Sequence, residues 1–429
     1  MPTAPLRLGI AGLGTVGVGV LKMLHKNAEM LSIRTGRQIT VSAVSAKSKS
    51  KDRGVDLGNI AWEDNPVMLA QREDVDVFVE LIGGSEGIAK DAAEAAIAAG
   101  KDIVTANKAM LAIHGQSLAL AAEKADCVIR FEAAVAGGIP VVKALTEGLA
   151  GNKINRVLGV MNGSCNYILT RMETAGLTYE QVFAEADGLG YLEKDPNLDV
   201  GGIDAGHKLA LLASIAFGTE IDFNNVVLEG IGSITIEDIH AAADMGFRVK
   251  LLGVAQMTGR GLEQRMTPCL VPASSPLAQL EGGTNMVILE GGDSGTIVLR
   301  GAGAGAGPTA SAVMSDIIDI ARGLRLKTFG QPANSLVRAQ PATATTPAPF
   351  YLRLQLLDKP GAMAKITSVM GDAGVSIDRM RQYGHAAGQA PVLIVTHKTT
   401  RAAIDQVLSD FTSTGVVEGI MVALRIEML

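Results

Sequence analysis

LRLGIAGLGTVGVGVLKML, residues 6–24, opens on a short apolar run and closes on a helical one. Leu6, Leu8 and Ile10 alternate as a strand, while Val20, Leu21 and Leu24 fall at helical spacing. Between them Gly12, Gly14 and Gly17 give GxGxxG, placed where a strand turns into a helix. Each glycine has a separate task. Gly12 permits the tight turn, Gly14 lets a phosphate approach the backbone, and Gly17 lets helix and strand close together. The helix N-terminus favours the phosphate charge. The stretch predicts an α/β fold of Rossmann type, with Gly12, Leu13, Gly14, Thr15, Val16 and Gly17 as dinucleotide contacts.

Working outward, residues 38–47 (QITVSAVSAK) read as the second strand. An NAD site often carries an acid at this strand's end to hold the ribose hydroxyls. Here Ser45, Ala46 and Lys47 stand there, followed by Lys49, Lys51 and Arg53. A positive neighbour suits a 2′-phosphate, so NADP(H) is favoured, with NAD(H) possible, and Lys47 is the first candidate contact. Each of these lysines could equally be a solvated surface residue. A buried strand follows at 74–84, an alanine-rich helix at 89–99, and a strand at 102–105. Open α/β sheets bind ligands at the carboxyl ends of their strands, where Thr105, Asn107 and Lys108 would lie. Lys108 there reads as a cofactor or substrate contact, or as an exposed loop residue. In CVIRFEAAVAGGIPVV (127–142), Glu132 interrupts an apolar run. It has two readings: a cation ligand together with backbone carbonyls, or an acceptor for nearby backbone groups.

Bulk properties narrow the class. The chain has 429 residues, 48% hydrophobic and 19% charged, with a net charge of −6. That length supports two or three domains, and the charge gives no footprint for nucleic acid. No signal-peptide pattern and no membrane-spanning apolar run are read, so a cytoplasmic protein is expected. Three scattered cysteines (Cys127, Cys165, Cys269) make no disulfide framework, and six histidines show no metal-ligand spacing.

DVGGIDAGHKLALLASIAF (199–217) raises a different problem. At about 100° per residue, Asp204 and Lys208 share a helical stripe with Leu211, Leu212 and Ile215. A carboxylate and an ammonium thus point toward a core. They form either a surface pair at its rim or a pair lining a cleft, since buried charge is costly unless paired or used. Further on, strands are read in RVLGVMNG, VVLEGIGSI, VKLLGVAQM and NMVILEGG, which suggests a mixed sheet with helices. Residues 331–349 carry four prolines and a single charge, and read as a linker. Residues 350–429 then give β-α-β-β-α-β, a ferredoxin-like module.

GLGTVG (12–17) with TANKAMLAIHG (105–115), VMNGSCNYILTRM (160–172) and GYLEKDPNLDVGGIDAGHKLALL (190–212) together resemble homoserine dehydrogenase, in the long form with a C-terminal ACT domain. The third stretch is the most specific, because no general fold constraint asks for its ordered charges. The resemblance implies a dinucleotide domain over 1–135 completed by 306–330, a catalytic and dimerisation domain over 136–305, and an ACT regulatory domain over 350–429. It implies interconversion of L-homoserine and L-aspartate 4-semialdehyde in threonine, methionine and isoleucine biosynthesis. It makes Lys208 the catalytic proton donor, Lys108 a neighbour of cofactor and substrate, Glu193 the acid that holds the substrate, and Asp199 and Asp204 supporting acids. It implies sodium held by Glu132 with the carbonyls of Val135, Gly137 and Ile139, a cofactor contact at Gly305 in GAGAGAGPTASAV (301–313), threonine as effector, and a homodimer or homotetramer.

The chemistry suits these roles. Reducing an aldehyde puts negative charge on oxygen, and an ammonium nearby stabilises it and delivers a proton. Oxidation needs that amine neutral, so it should run best at alkaline pH. Two other classes stay open: a semialdehyde dehydrogenase, which needs an activated thiolate, and a nucleotide-binding sensor without catalysis. Cys165 reads as a packing residue, since no activating histidine is close in sequence.

Overall fold

The computed structural model describes residues 4–193, 195–342, 346–382 and 389–428. Six short strands form the first sheet: β1 (Leu6–Ala11), β2 (Ile39–Ser45), β3 (Ala61–Trp62), β4 (Val77–Glu80), β5 (Asp102–Thr105) and β6 (Ile129–Arg130). Their order is β3-β2-β1-β4-β5-β6, and every pairing is parallel. The order reverses between β1 and β4, which opens a crevice beyond their carboxyl ends. β4 is buried along its whole length, as a parallel strand covered on both faces must be.

The second sheet is larger. β7 (Ile154–Val160), β8 (Val227–Leu228), β9 (Phe247–Thr258), β10 (Gly261–Pro272), β11 (Thr284–Gly291) and β12 (Thr296–Ala302) form its first part. β9 and β10 make a long hairpin, as do β11 and β12. The sequence reading marks β9 and β11 but neither of their hairpin partners. β10 carries charged and polar residues at 263–265 in a strand buried from Leu262 to Val271, and β12 is exposed at every second residue. Helix Ile203–Phe217 packs across β7, β9 and β10. It is buried at every position from Asp204 to Ser214, not along one stripe alone.

Residues 350–428 fold as β13 (Phe350–Leu357), helix Ala362–Asp372, β14 (Ile377–Gln382), β15 (Gln389–Thr396), helix Arg401–Ser413 and β16 (Val417–Ile426). The strand order is β16-β13-β15-β14, all antiparallel. This module is not hung on a loose tether. β16 pairs with β10 through Cys269–Arg425 and Leu270–Ile426, so one sheet runs through both units. Arg353 and Tyr351 both donate to Asp238, which is fully buried, at 2.6 and 2.9 Å. Part of the linker at 343–345 lies outside the described residues. The rest is pinned by short bridges, Thr219–Val337, Leu262–Pro341 and Ala348–Thr399. Ala333, Leu336, Ala342 and Ala348 are buried, so a proline-rich segment with little side chain still docks through its backbone.

Helix Ala306–Ala321 returns to the first sheet, where Ala310, Val313 and Ile317 join one core with Leu8, Ile10 and Val20. It crosses helix Thr15–Lys26 closely: a Cβ on Gly19 would come within 2.9 Å of the Ala306 carbonyl oxygen. Among the described residues no helix is long and apolar enough to cross a membrane.

Candidate active site

Two adjoining cavities flank the glycine turn. One, of about 690 Å³, is lined by Gly12, Leu13 and Gly14, by Ser45 and Lys47 after β2, and by Arg53. Its shape follows from side chains that are missing. Gly12 has φ +103°, and a Cβ there would strike the Leu81 carbonyl after β4. A Cβ on Gly17 would strike the Gly12 carbonyl. A Cβ on Gly14 would meet nothing within 4 Å, which leaves its face open to a ligand. Helix Thr15–Lys26 starts at Gly14 with no side-chain cap and no acid in its first turn, so its N–H groups remain available to an anion. Arg53 ties the basic loop to this turn: it donates to the carbonyls of Leu13 and Ser48 at 3.2 and 2.6 Å and lies over the Trp62 ring. Lys47 is exposed at the mouth, and the Ser45 hydroxyl is buried without a partner. A dinucleotide fits these residues.

The second cavity, of about 720 Å³, is lined by Thr15 and Val16 on one side and by Lys108, Glu193, Asp199, Asp204 and Lys208 on the other. Asp204 is its centre. One oxygen, Oδ2, accepts from Lys208 Nζ at 2.6 Å; the other, Oδ1, lies 2.9 Å from Lys108 Nζ. Burial alone would raise the Asp204 pKa, but the two ammonium groups outweigh it and hold the carboxyl well below the usual carboxylate range. Lys108 is affected in the same way: burial would lower it, and Asp204 raises it instead. Lys208 also donates to the Met161 carbonyl at 2.9 Å.

Two asparagines hold this charge cluster together. Asn107 caps helix Lys108–Lys124, accepting from Met110 N–H at 3.1 Å and donating to the Gly84 carbonyl at 2.7 Å. That fixes where Lys108 leaves the backbone. Asn162 caps helix Gly163–Ala175, accepting from Cys165 N–H at 2.8 Å. Its amide then donates to Asp199 at 2.9 Å and to Asp204 at 3.3 Å. The sequence reading quotes Asn162 without assigning it a role; its signal is an asparagine directly before a helix start. Asp199 is buried, and its second oxygen accepts the Glu193 N–H at 2.9 Å. Glu193 itself is half-exposed, 3.9 Å from Lys108, and burial pushes its carboxyl up against the pull of that lysine.

Thr105 lies behind the cleft rather than on its wall. It is fully buried, donates to Glu80 at 2.6 Å and accepts from Asn107 N–H at 3.0 Å. Glu80 also accepts from the N–H groups of Ile82 and Gly83, so it shapes the loop after β4. Gly305 lies on the cleft at φ +114°, ahead of helix Ala306–Ala321, which also starts uncapped. Asn285 lines the same wall, is 1% exposed, and neither polar atom of its amide has a partner. A buried amide left unpaired calls for a partner such as an ordered water, an ion or a ligand atom. Cys165 is fully buried, its thiol pushed far up by burial, and it donates to the Asp199 carbonyl. That argues against a thiolate nucleophile.

Glu132 meets the second of its two readings: its carboxylate accepts from Val142 and Lys143 N–H at 3.0 and 2.7 Å. Burial and the neighbouring Asp316 push it up to about 7. The loop after it carries two successive left-handed residues, Ala136 and Gly137, both at φ +55°. The Ile139 carbonyl accepts from Val141 N–H, whereas those of Val135 and Gly137 accept from no described residue. Buried carbonyls without partners beside a carboxylate suit a hard cation, so the donor set is compatible with sodium.

Residues 12–132 match the family model "Homoserine dehydrogenase, NAD binding domain", residues 140–318 match "Homoserine dehydrogenase", and residues 350–414 match "ACT domain". A homoserine dehydrogenase of Neisseria gonorrhoeae is 42% identical over 99% of each chain. The structure of a homoserine dehydrogenase from Thiobacillus denitrificans superposes with a TM-score of 0.93 over 100% of each chain, at 37% identity. A hyperthermophilic archaeal homoserine dehydrogenase in complex with NADPH matches 73% of this chain and 97% of its own, with a TM-score of 0.63 and 25% identity. The chain belongs to the homoserine dehydrogenase family, in the form that carries a C-terminal ACT domain.

Proposed function

We propose that the cleft interconverts L-homoserine and L-aspartate 4-semialdehyde, with NADP(H) preferred over NAD(H), and that Lys208 handles the proton. The carrying observation is Asp204, one buried carboxylate that holds two lysines at the same wall. An ammonium has three N–H donors. Lys208 directs one to Asp204 and one to the Met161 carbonyl, which leaves the third for a substrate oxygen. A bound nicotinamide supplies or accepts the hydride. As charge develops on the aldehyde oxygen, Lys208 stabilises it and then protonates it. In oxidation Lys208 takes the alcohol proton, so it must first be neutral, and the rate rises toward alkaline pH.

Lys108 keeps the second Asp204 oxygen occupied and so fixes the carboxylate's orientation. Glu193 receives the substrate ammonium. Asp199, with both oxygens committed to Asn162 and the Glu193 N–H, positions Glu193. Gly12, Leu13, Gly14, Thr15, Val16, Gly17 and Gly305 carry the dinucleotide. Lys47 faces a 2′-phosphate, a reading supported by the basic loop and by the NADPH bound in the archaeal relative. Glu132 with the carbonyls of Val135, Gly137 and Ile139 holds sodium as a structural ion. The ACT module senses threonine, and the protein works as a homodimer or homotetramer.

The test is an absorbance assay with L-homoserine and either NADP⁺ or NAD⁺, from neutral to alkaline pH. Homoserine-dependent reduction that is faster with NADP⁺ and climbs with pH is expected. No homoserine-dependent signal with either dinucleotide overturns the activity. A faster rate with NAD⁺ overturns the preference alone, and a rate indifferent to saturating threonine overturns the effector.

A further inference from the structure

β9 holds a lysine where its pattern asks for an apolar residue. Arg248, Lys250, Leu252 and Val254 alternate onto one face of the strand, and Leu252 and Val254 share a core with Leu277, Ala278 and Leu280. Lys250 is 2% exposed, and its ammonium donates to neutral acceptors, the Asn166 Oδ1 at 2.9 Å and the Leu280 carbonyl. Burial pushes it down to about 8, with Glu173 and Glu281 pulling it back up and Arg248 pressing it further down. A buried ammonium is costly unless it is put to use, and the reaction steps above do not use this one.

Its use is visible in what it holds. Three side chains take alternate carbonyls of one segment: Arg248 donates to Ala278 at 3.1 Å, Lys250 to Leu280, and Asn166 to Gly282 at 2.7 Å and to Leu280 at 3.3 Å. The next residue, Gly283, lines the 720 Å³ cavity together with Tyr191 and Glu193, whereas Lys250 and Asn166 stand behind its wall. Gly283 fits closely on both sides. A Cβ on Gly163 would come within 2.8 Å of the Gly283 carbonyl oxygen, and a Cβ on Gly283 would lie 3.6 Å from the Tyr191 ring. Tyr191 is held from two further directions. The Ser164 hydroxyl donates to its carbonyl at 2.6 Å, and its ring stacks on Tyr167 with centroids 4.5 Å apart. Glu193 follows two residues later.

We propose that Lys250 is a positioning residue for the substrate's amino end: with Asn166 it ties down the 278–282 segment, and that segment backs Tyr191 and so sets where Glu193 meets the substrate ammonium. The proposal deepens the homoserine reading and rests on it for the identity of the substrate. A small misplacement of a binding group, caused from a distance, is enough to weaken a substrate's fit. The dinucleotide end lies on the first sheet and takes nothing from this tie.

The test is steady-state kinetics of the full chain, joined to amide hydrogen exchange over residues 280–285, which needs no turnover. Lys250→Met puts an apolar chain of similar length in place of a buried charge, an exchange that protein interiors often accept, so the variant should fold. Its KM for L-homoserine should rise about tenfold, while kcat and the KM for NADP⁺ stay within about twofold of the parent. Lys208 keeps its bonds to Asp204 and the Met161 carbonyl, which is why kcat is spared. Exchange over 280–285 should quicken about tenfold. Asn166→Asp is the second variant: it keeps an acceptor for Lys250, loses the donors to Leu280 and Gly282, and should show the same two changes. A parental KM for homoserine in both variants overturns the proposal, since the tie would then serve stability alone. Unchanged exchange overturns it as well, and so does a KM for NADP⁺ that rises as much as that for homoserine. A parent with no homoserine-dependent reduction sinks the activity reading instead, and the tie then stands or falls by exchange.

Discussion

The two ends of the main cleft are built by opposite means. At the dinucleotide end the working surface is backbone, and what matters is the absence of side chains at Gly12, Gly14 and Gly17. At the end we propose as catalytic it is a knot of charged side chains, Asp204 between Lys108 and Lys208, steadied by Asn162 and Asp199. The first is written in six consecutive residues. The second is gathered from segments near 108, 162 and 193–208, and only the fold brings them together. The dinucleotide end should therefore fail when an atom is added, and the catalytic end when a charge is removed.

The largest effect belongs to Lys208→Met. General acid–base catalysis by one side chain is worth about 10²–10⁴-fold, and loss of a group facing the developing oxyanion adds to that. A fall in kcat of about 10³–10⁴-fold is expected, with the thermal midpoint little changed because Asp204 keeps its pairing with Lys108. Turnover like the parent's from a folded variant would break the comparison at its charged end. Gly12→Ala is the counterpart. It forces a residue with a Cβ to φ +103° and drives that Cβ into the Leu81 carbonyl. Backbone strain and overpacking together should cost about 3–4 kcal/mol, read from the urea midpoint. An unchanged midpoint would mean that the loops after β1 and β4 do not meet as described.

That contrast also decides what could be read in advance. The glycine turn was legible because each residue's task is local: a turn, an opening, a close approach. The helix carrying Lys208 was legible only as a question, since periodicity reveals one apolar stripe and cannot show that the remaining faces are buried as well. Thr105 sits at the expected strand end, yet its side chain turns back to Glu80, a carboxylate that the chain presents 25 residues earlier. Asn162 carries only the signal of a helix cap, and Asn285 none. One is a helix cap whose amide happens to face two acids, and the other an unpaired amide visible only once its burial is known. The joining of β16 to β10 was equally hidden, because strand pairing across domains leaves no periodicity in either strand.

His207 sharpens the charged end without touching its chemistry. It neighbours Lys208 in sequence, packs against the Phe223 ring in a tilted arrangement with centroids 4.2 Å apart, and is only 9% exposed. Burial lowers it to about 4, against a partial pull upward from Asp204. The unfolded chain therefore binds a proton that the folded chain refuses between the ordinary histidine value and about 4. Stability from this group is full above pH ~6.5 and falls as pH drops toward 4, by up to about 3 kcal/mol. His207→Gln should lack that slope, so its urea midpoint should decline less than the parent's between pH 6.5 and pH 4. Parallel declines would show that the imidazole is not held neutral by its surroundings.

The smallest effect is the most selective. Gly14 has φ −81°, an angle that any residue adopts, and its Cβ position is open space. Gly14→Ala should therefore leave the urea midpoint within about 1 kcal/mol of the parent, the difference between Gly and Ala at a helix N-cap. The space it fills is the approach of a phosphate to the helix N-terminus. The KM for the dinucleotide should rise about tenfold, equivalent to about 1.4 kcal/mol, while kcat and the KM for homoserine stay near parental values. Gly12→Ala and Gly14→Ala then separate two reasons for a glycine within one turn, the fold's need and the ligand's need. A Gly14→Ala variant that binds dinucleotide like the parent would move the phosphate away from this turn, and the dinucleotide end would no longer be defined by what it lacks.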